Sequence, residues 1–175
     1  MQKVSIITIL FFLLTSYSIP VTTVKEKIQW ISFEEAEKRM KVEPRPILID
    51  VYTDWCGWCK VMDKKTYDHA KVADYINKQY YAIKFDAESK TPITWRGKTY
   101  QFEAQYRMHG LAVELLGGNA GFPTTVFIPV SPAEPQAIPG FLQPTEIHPL
   151  LTYFSEGHHQ KIRFDKYAEK FKSSW

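Results

Sequence analysis

Both cysteines of this 175-residue chain lie in one heptapeptide, DWCGWCK, at positions 54–60. Two thiols three positions apart have three chemical uses: reversible disulfide exchange, part of a metal site, or a covalent staple. As a staple the pair is weak, because a cross-link between near neighbours closes a tiny loop and removes little entropy from the unfolded chain. A structural zinc site usually needs four ligands, with a second pair at matching spacing. Copper or zinc would have to draw on His69, His109, His148, His158 or His159, and His158-His159 belongs to a tail that reads as solvated. Exchange needs a thiolate. Cys56 falls where an apolar run gives way to a helical pattern, so it sits at a helix N-terminus. There, unpaired N–H groups and a partial positive charge favour an anion. Cys59 lies one turn further in, placed to attack a mixed disulfide formed on Cys56. Lys60 adds positive charge, and Gly57 leaves room for another chain. These residues favour exchange and leave two alternatives standing: a copper- or zinc-binding protein, and an interaction module with an inert disulfide.

The flanking elements must bring that loop to an accessible edge. SFEEAEKRMK (32–41) has the capping-box pattern of Ser32 and Glu35 and predicts a helix that Pro44 and Pro46 bring to a close. ILIDVYT (47–53) is a continuous apolar run with β-branched residues, suited to a strand buried on both faces. The stretch from Cys59 to Tyr80 predicts a helix interrupted near Thr66–Asp68 and resuming at Val72, and YYAIKFDA (80–87) predicts a second strand. A strand–helix–strand crossover within one sheet is parallel and right-handed. Both strands then end at the edge that carries the cysteines, where open α/β sheets place their sites.

Further along, TPITWRGKTYQF (91–102) predicts a hairpin turning at Arg96-Gly97, and HGLAVELL (109–116) a short helix stopped by Gly117-Gly118. FPTTVFIPV (122–130) predicts a strand entered through a proline, and SPAEPQAIPGF (131–141) a turn and the start of a last strand. QPTEIHPLLTYF (143–154) predicts a helix, and the tail DKYAEKFKSSW one more, docked through Tyr167, Phe171 and Trp175. The N-terminus, MQKVSIITILFFLLTSYSIP, has the layout of a secretory signal peptide with cleavage after Ser18. Its apolar run falls short of the roughly 20 residues of a spanning helix. The expectation is an exported chain in an oxidising compartment, with no stable membrane insertion once the signal is removed. Residues 19–175 are expected to form one domain, with a core at about 28–154 and an extension at 155–175. A net charge of +3 with scattered basic residues gives no reason to expect a nucleic-acid partner.

ILIDVYTDWCGWCK resembles the active-site segment of the thioredoxin-like superfamily: an apolar strand, an aspartate six residues before the first cysteine, W-C-x-x-C-K, then a helix. GFPTTVFI resembles the loop that carries the family's cis-proline. CGWCK, MDKKTY, ITWRGKTYQF and PTTVF are most similar to the exported bacterial, thioredoxin-related, DUF255-like group. The resemblance implies an α/β thioredoxin fold: a central mixed sheet flanked by helices, with an inserted hairpin at 93–102 and a C-terminal helical extension. It implies a thiol–disulfide oxidoreductase whose attacking thiol is Cys56 and whose resolving thiol is Cys59. Asp50 would be the buried aspartate that relays the proton of the second cysteine, Lys84 the lysine facing it, and Pro123 the cis-proline. Trp55, Gly57, Trp58, Phe122 and Thr124 would meet the substrate. The only redox group implied is the Cys56–Cys59 pair, with no metal and no other cofactor. The implied partners are protein thiols and disulfides and an upstream, membrane-bound redox protein. Gly57-Trp58 replaces the family's better-known dipeptides, so the potential is not fixed; reduction is favoured over oxidation by a small margin. Trp95, Tyr100 and Phe102 are candidates for a partner surface beside Cys56, against the stronger alternative that they close the core.

Overall fold

The computed structural model describes residues 26–118, 121–130 and 134–175. The expected signal segment and cleavage site lie outside the described residues. The apolar run forms β1 (Ile47–Tyr52), with every residue up to Val51 buried. The resumed helical pattern leads into β2 (Tyr81–Asp86), which pairs with β1 in parallel from Ile47 opposite Tyr81 to Tyr52 opposite Asp86. The strand entered through Pro123 is Thr124–Ile128. It lies antiparallel on the other side of β1, and Gln136–Pro139 closes the sheet beyond it. The result is a mixed four-stranded sheet with β1 next to its centre. Trp30 adds a single parallel bridge to Ala82 on the outer side of β2.

Alternation along β1 divides the core. Ile47, Ile49 and Val51 face one layer, with Phe33, Ile83, Phe85 and Val126. Leu48 faces the other, with Met62, Val72, Ile76, Phe127 and Leu151. Side chains along a strand point to opposite faces with a period of two, so Asp50 shares the side of Leu48. That is the side on which the cysteine-bearing helix packs.

The first layer is covered by α1 (Phe33–Met40). Ser32 caps it by accepting a hydrogen bond from the Glu35 N–H at 3.1 Å. Only half of the expected capping box forms, because the Glu35 carboxylate turns to Arg39 one turn on, at 2.6 Å. The second layer holds α2 (Gly57–Met62), which runs straight into a π-helical turn, Asp63–Tyr67, and then α3 (Ala70–Gln79). The break expected near Thr66–Asp68 is thus a widened turn followed by a new start. The 12-residue helix Pro144–Ser155, here α5, packs on the same side. Trp175 stacks flat on its His148 at 3.6 Å, and Tyr167 bonds its Thr152 at 2.8 Å, so the C-terminal segment docks as expected.

The insertion after β2 is built differently from expectation. β3 (Ile93–Trp95) and β4 (Lys98–Tyr100) form a hairpin whose turn residues, Arg96 and Gly97, both have positive φ, as tight hairpin turns require. Phe102 is not on its arm. It belongs to a second small ladder, β5 (Phe102–Glu103) with β6 (Met108–His109), which leads into α4 (Gly110–Leu115). Nor do the aromatics make a partner surface. Trp95 and Tyr100 are buried in the first layer, where Trp95 meets Phe33 edge-on at 5.3 Å. The hairpin closes the core. The Tyr100 hydroxyl donates to Glu114 at 2.7 Å, and Lys98 holds the same carboxylate at 2.8 Å. Tyr100→Phe should therefore cost about 0.5–1 kcal/mol, the net worth of one such bond, in urea unfolding. The rate of thiol exchange should be untouched. Slower exchange at unchanged stability would contradict a purely structural hairpin.

Candidate dithiol site

The site grows out of the end of β1. After Tyr52 the chain turns, with the Cys56 N–H donating to the Thr53 carbonyl at 3.1 Å, and α2 starts at once. Cys56 is the N-cap residue of α2, and its sulfur accepts a hydrogen bond from the Cys59 N–H at 3.0 Å. Helices leave their first N–H groups free for such a partner. The two cysteines are joined in a disulfide, and both are buried.

Around the sulfurs stands an aromatic rim. Trp55 and Trp58 are 67% and 61% exposed. Trp55 meets Phe122 edge-on at 5.9 Å, and Trp58 leans on Phe141 at 5.7 Å. The Phe122–Pro123 peptide is cis. Gly57 has open space where a side chain would project. Thr124 is differently placed from the other expected substrate contacts: its side chain is buried, and its hydroxyl donates back to the Gly121 carbonyl at 2.6 Å. Phe141 was missed from sequence, since it comes from the far end of the chain with nothing local to tie it to Trp58.

Beneath the loop lies an ion cluster. Asp50 is 2% exposed, and burial pushes its pKa up to about 6 against the pull of Lys84. The β1–β2 register sets the two residues opposite each other, and the Lys84 ammonium donates to Asp50 at 2.7 Å. It donates also to Asp63, from the π-helical turn, at 2.5 Å. Burial works against the Lys84 charge, but the two carboxylates outweigh it and hold its pKa above the ordinary lysine value. The rings of Trp30 and Tyr52 flank the ammonium at 5.4 and 4.9 Å, close enough for cation–π attraction. Tyr67 is fully buried on this side and hydrogen-bonds Thr125 at 3.0 Å; burial pushes its pKa well up.

Three of the five histidines considered for metal have other work. His109 caps α4, with Nδ1 accepting from the Leu111 N–H and Nε2 donating to the Thr91 carbonyl, both at 3.2 Å. His148 lies under Trp175, and His158 pairs with Glu156 at 3.1 Å. Among the described residues, no group of three or more His, Cys, Asp or Glu side chains is arranged to hold a metal ion. Among the same residues no helix is long and apolar enough to cross a membrane.

The family Thioredox_DsbH, described as "Protein of unknown function, DUF255", matches residues 15–146, from before β1 to the start of α5. The chain belongs to this DUF255 family. Solved structures agree on the fold. A thioredoxin-fold protein from Helicobacter pylori superposes with a TM-score of 0.55 at 15% identity, over 72% of this chain and 79% of its own. A thioredoxin from Thermus thermophilus gives 0.53 at 15% identity, over 79% of this chain and 100% of its own. A Bacteroides thetaiotaomicron protein described as a candidate disulphide-isomerase gives 0.50 at 27% identity, over 78% and 97%. A Caenorhabditis elegans protein, uncharacterized protein B0495.5, is 26% identical over 102 residues, or 58% of this chain. The match spans only 12% of that relative's length. This DUF255-family chain is therefore a thioredoxin-like α/β protein, and its CxxC pair lies within the matched segment. Family and fold together support a thiol–disulfide oxidoreductase-like role.

Proposed function

We propose that this DUF255-family protein is an exported thiol–disulfide oxidoreductase that exchanges disulfides with protein substrates, with the reducing direction favoured. The observation that carries the reading is the placement of the Cys56–Cys59 disulfide on the first turn of α2, above a buried carboxylate. In the reducing direction, the Cys56 thiolate attacks one sulfur of a partner disulfide. The partner's S–S bond breaks, a Cys56–partner disulfide forms, and the partner's first sulfur leaves as a thiolate that takes a proton. The Cys59 thiol then loses its proton to Asp50, directly or through a water. Its thiolate attacks the Cys56 sulfur, expels the partner's second thiolate and closes the Cys56–Cys59 disulfide. Two electrons pass to the partner, and an upstream dithiol must restore them.

The rim suits an extended polypeptide: Trp55, Trp58 and Phe122 offer apolar area, Gly57 leaves space, and the backbone of Phe122 can meet a partner strand. The description of the Bacteroides neighbour as a candidate disulphide-isomerase supports protein disulfides as substrates. The signal-like residues 1–18 support export to a periplasm, where residues 19–175 would work as one domain. That compartment supplies no glutathione poise, so the upstream donor is expected to be a membrane-bound redox protein.

Reduction of insulin disulfides under limiting dithiothreitol tests the reading. The protein should accelerate insulin precipitation catalytically, and Cys56 should alkylate with a midpoint below the ordinary thiol value of about 8.5. No turnover together with an ordinary alkylation profile would leave an inert module instead.

A further inference from the structure

Asp63 belongs to none of the roles assigned so far, yet it holds one of the Lys84 hydrogen bonds. Its position follows from the helix. Asp63 comes four residues after Cys59, and its N–H donates to the Cys59 carbonyl. The two side chains therefore lie on one face, a turn apart. Side chains on a helix lean toward its N-terminus, so the Asp63 carboxylate leans toward Cys59. Three elements converge here: β1 brings Asp50, β2 brings Lys84, and the π-helical turn brings Asp63. The Lys84 ammonium lies between two carboxylates, at 2.7 Å from Asp50 and 2.5 Å from Asp63. One carboxylate is sealed in and the other faces water: the Asp63 side chain is 39% exposed, against 2% for Asp50.

We propose that Asp63 is a positioning residue for the dithiol: by sharing Lys84 and adding its own charge, it keeps Asp50 a carboxyl that can take and return a proton near neutral pH. This inference rests on the exchange chemistry proposed above. Without Asp63, Lys84 would serve Asp50 alone, and a lysine–aspartate pair at hydrogen-bond distance holds the aspartate ionised and a poor proton acceptor. Lys84 would not swing away, since Asp50 itself and the rings of Trp30 and Tyr52 still fix it. The other titratable groups facing Asp50 are Tyr67 from the same π-helical turn, held by Thr125, and Tyr52 at the end of β1, which faces Asp54 and Asp86. The direction of the Asp63 influence on Asp50 agrees: it raises the pKa that Lys84 lowers. The negative charge also falls one turn from Cys59, where it favours the protonated thiol until Asp50 removes the proton.

The experiment is a carbon-13 NMR titration of the Asp50 side-chain carboxyl in the full chain, reduced, for the wild type, Asp63→Asn and Asp63→Glu. Asp63→Asn should lower the Asp50 midpoint by about one pH unit, and Asp63→Glu should restore most of it. The pH at which a Cys56 mixed disulfide is released at half its maximal rate should move the same way. An Asp50 midpoint that stays or rises in Asp63→Asn overturns the proposal, even if stability falls. The titration does not depend on turnover. A shifted midpoint in a protein that exchanges no disulfides would sink the proposed function, and with it the role at the dithiol, while leaving the influence of Asp63 on the Asp50 proton established.

Discussion

Cys59→Ser should arrest the protein as a covalent complex with its partner, whereas Cys56→Ser should lower insulin reduction to the background rate. The asymmetry follows from the start of α2. Cys56 is the N-cap residue, and the Cys59 N–H already points at its sulfur. On opening of the disulfide the same N–H and the helix terminus stabilise a Cys56 thiolate. Cys59 sits inside the first turn, where its use is to release what Cys56 has captured. Loss of a nucleophile in a covalent mechanism is read on the order of 1000-fold or more. Cys56→Ser should show that loss. Cys59→Ser keeps the first step and loses the second. Non-reducing electrophoresis of Cys59→Ser after incubation with a disulfide-bearing protein should then reveal a mixed disulfide that dithiothreitol dissolves. If Cys56→Ser forms the stable adduct and Cys59→Ser does not, the two roles are reversed.

The second large effect is expected at Asp50. Burial raises its pKa to about 6, above the ordinary aspartate value of about 3.9. The folded state therefore holds the Asp50 proton more tightly than the unfolded chain. The stability this brings is fully present below the unfolded value and is lost as pH rises through about 6. Above that pH the fold carries a buried charge that Lys84 only partly offsets. Asp50→Asn removes that charge, and Lys84 keeps Asp63 as a partner. At pH 8 the variant should be more stable than the wild type by about 2–3 kcal/mol, and at pH 4 no more stable. Release of the Cys56 mixed disulfide should slow by about 100-fold, the low end of what a positioned proton acceptor contributes. Lys84→Met is the opposite case. It leaves two carboxylates facing one another without their cation and should cost about 3 kcal/mol at pH 8. Urea unfolding of both variants across pH checks the two stability changes, and single-turnover release of the Cys56 mixed disulfide checks the rate. A variant more stable and equally fast in release would remove Asp50 from the chemistry.

How far the sequence reached depends on how local each feature is. The run ILIDVYT is long and apolar enough to mark a buried strand, and the cysteine spacing marks the turn that follows it. The Arg96-Gly97 turn was legible because a two-residue hairpin needs two residues at positive φ and glycine is one of the few that supply it. The destination of Trp95 was harder to read. A three-residue strand is too short for alternation to say which face is buried. The β5–β6 ladder, with two residues on each side, leaves no periodic trace at all. Asp63 reads from sequence as a solvated helix charge beside Lys64 and Lys65. Its partner comes from β2, and only the β1–β2 register, which sets Lys84 opposite Asp50, brings the three together. Asp50 came to notice only through the resemblance, which expects an aspartate six residues before the first cysteine, and its second-hand link to solvent through Lys84 and Asp63 leaves no local trace.

The rim around the disulfide has an optical consequence. Of the five tryptophans in the chain, Trp55 and Trp58 border the sulfurs, each adjacent to a cysteine, and both face solvent. A disulfide quenches a nearby excited indole by accepting an electron, and a dithiol does so far less. The chain thus carries its own lamp beside its own switch. Emission from these two indoles can report the redox state of Cys56 and Cys59 as it changes, with no dye or tag attached.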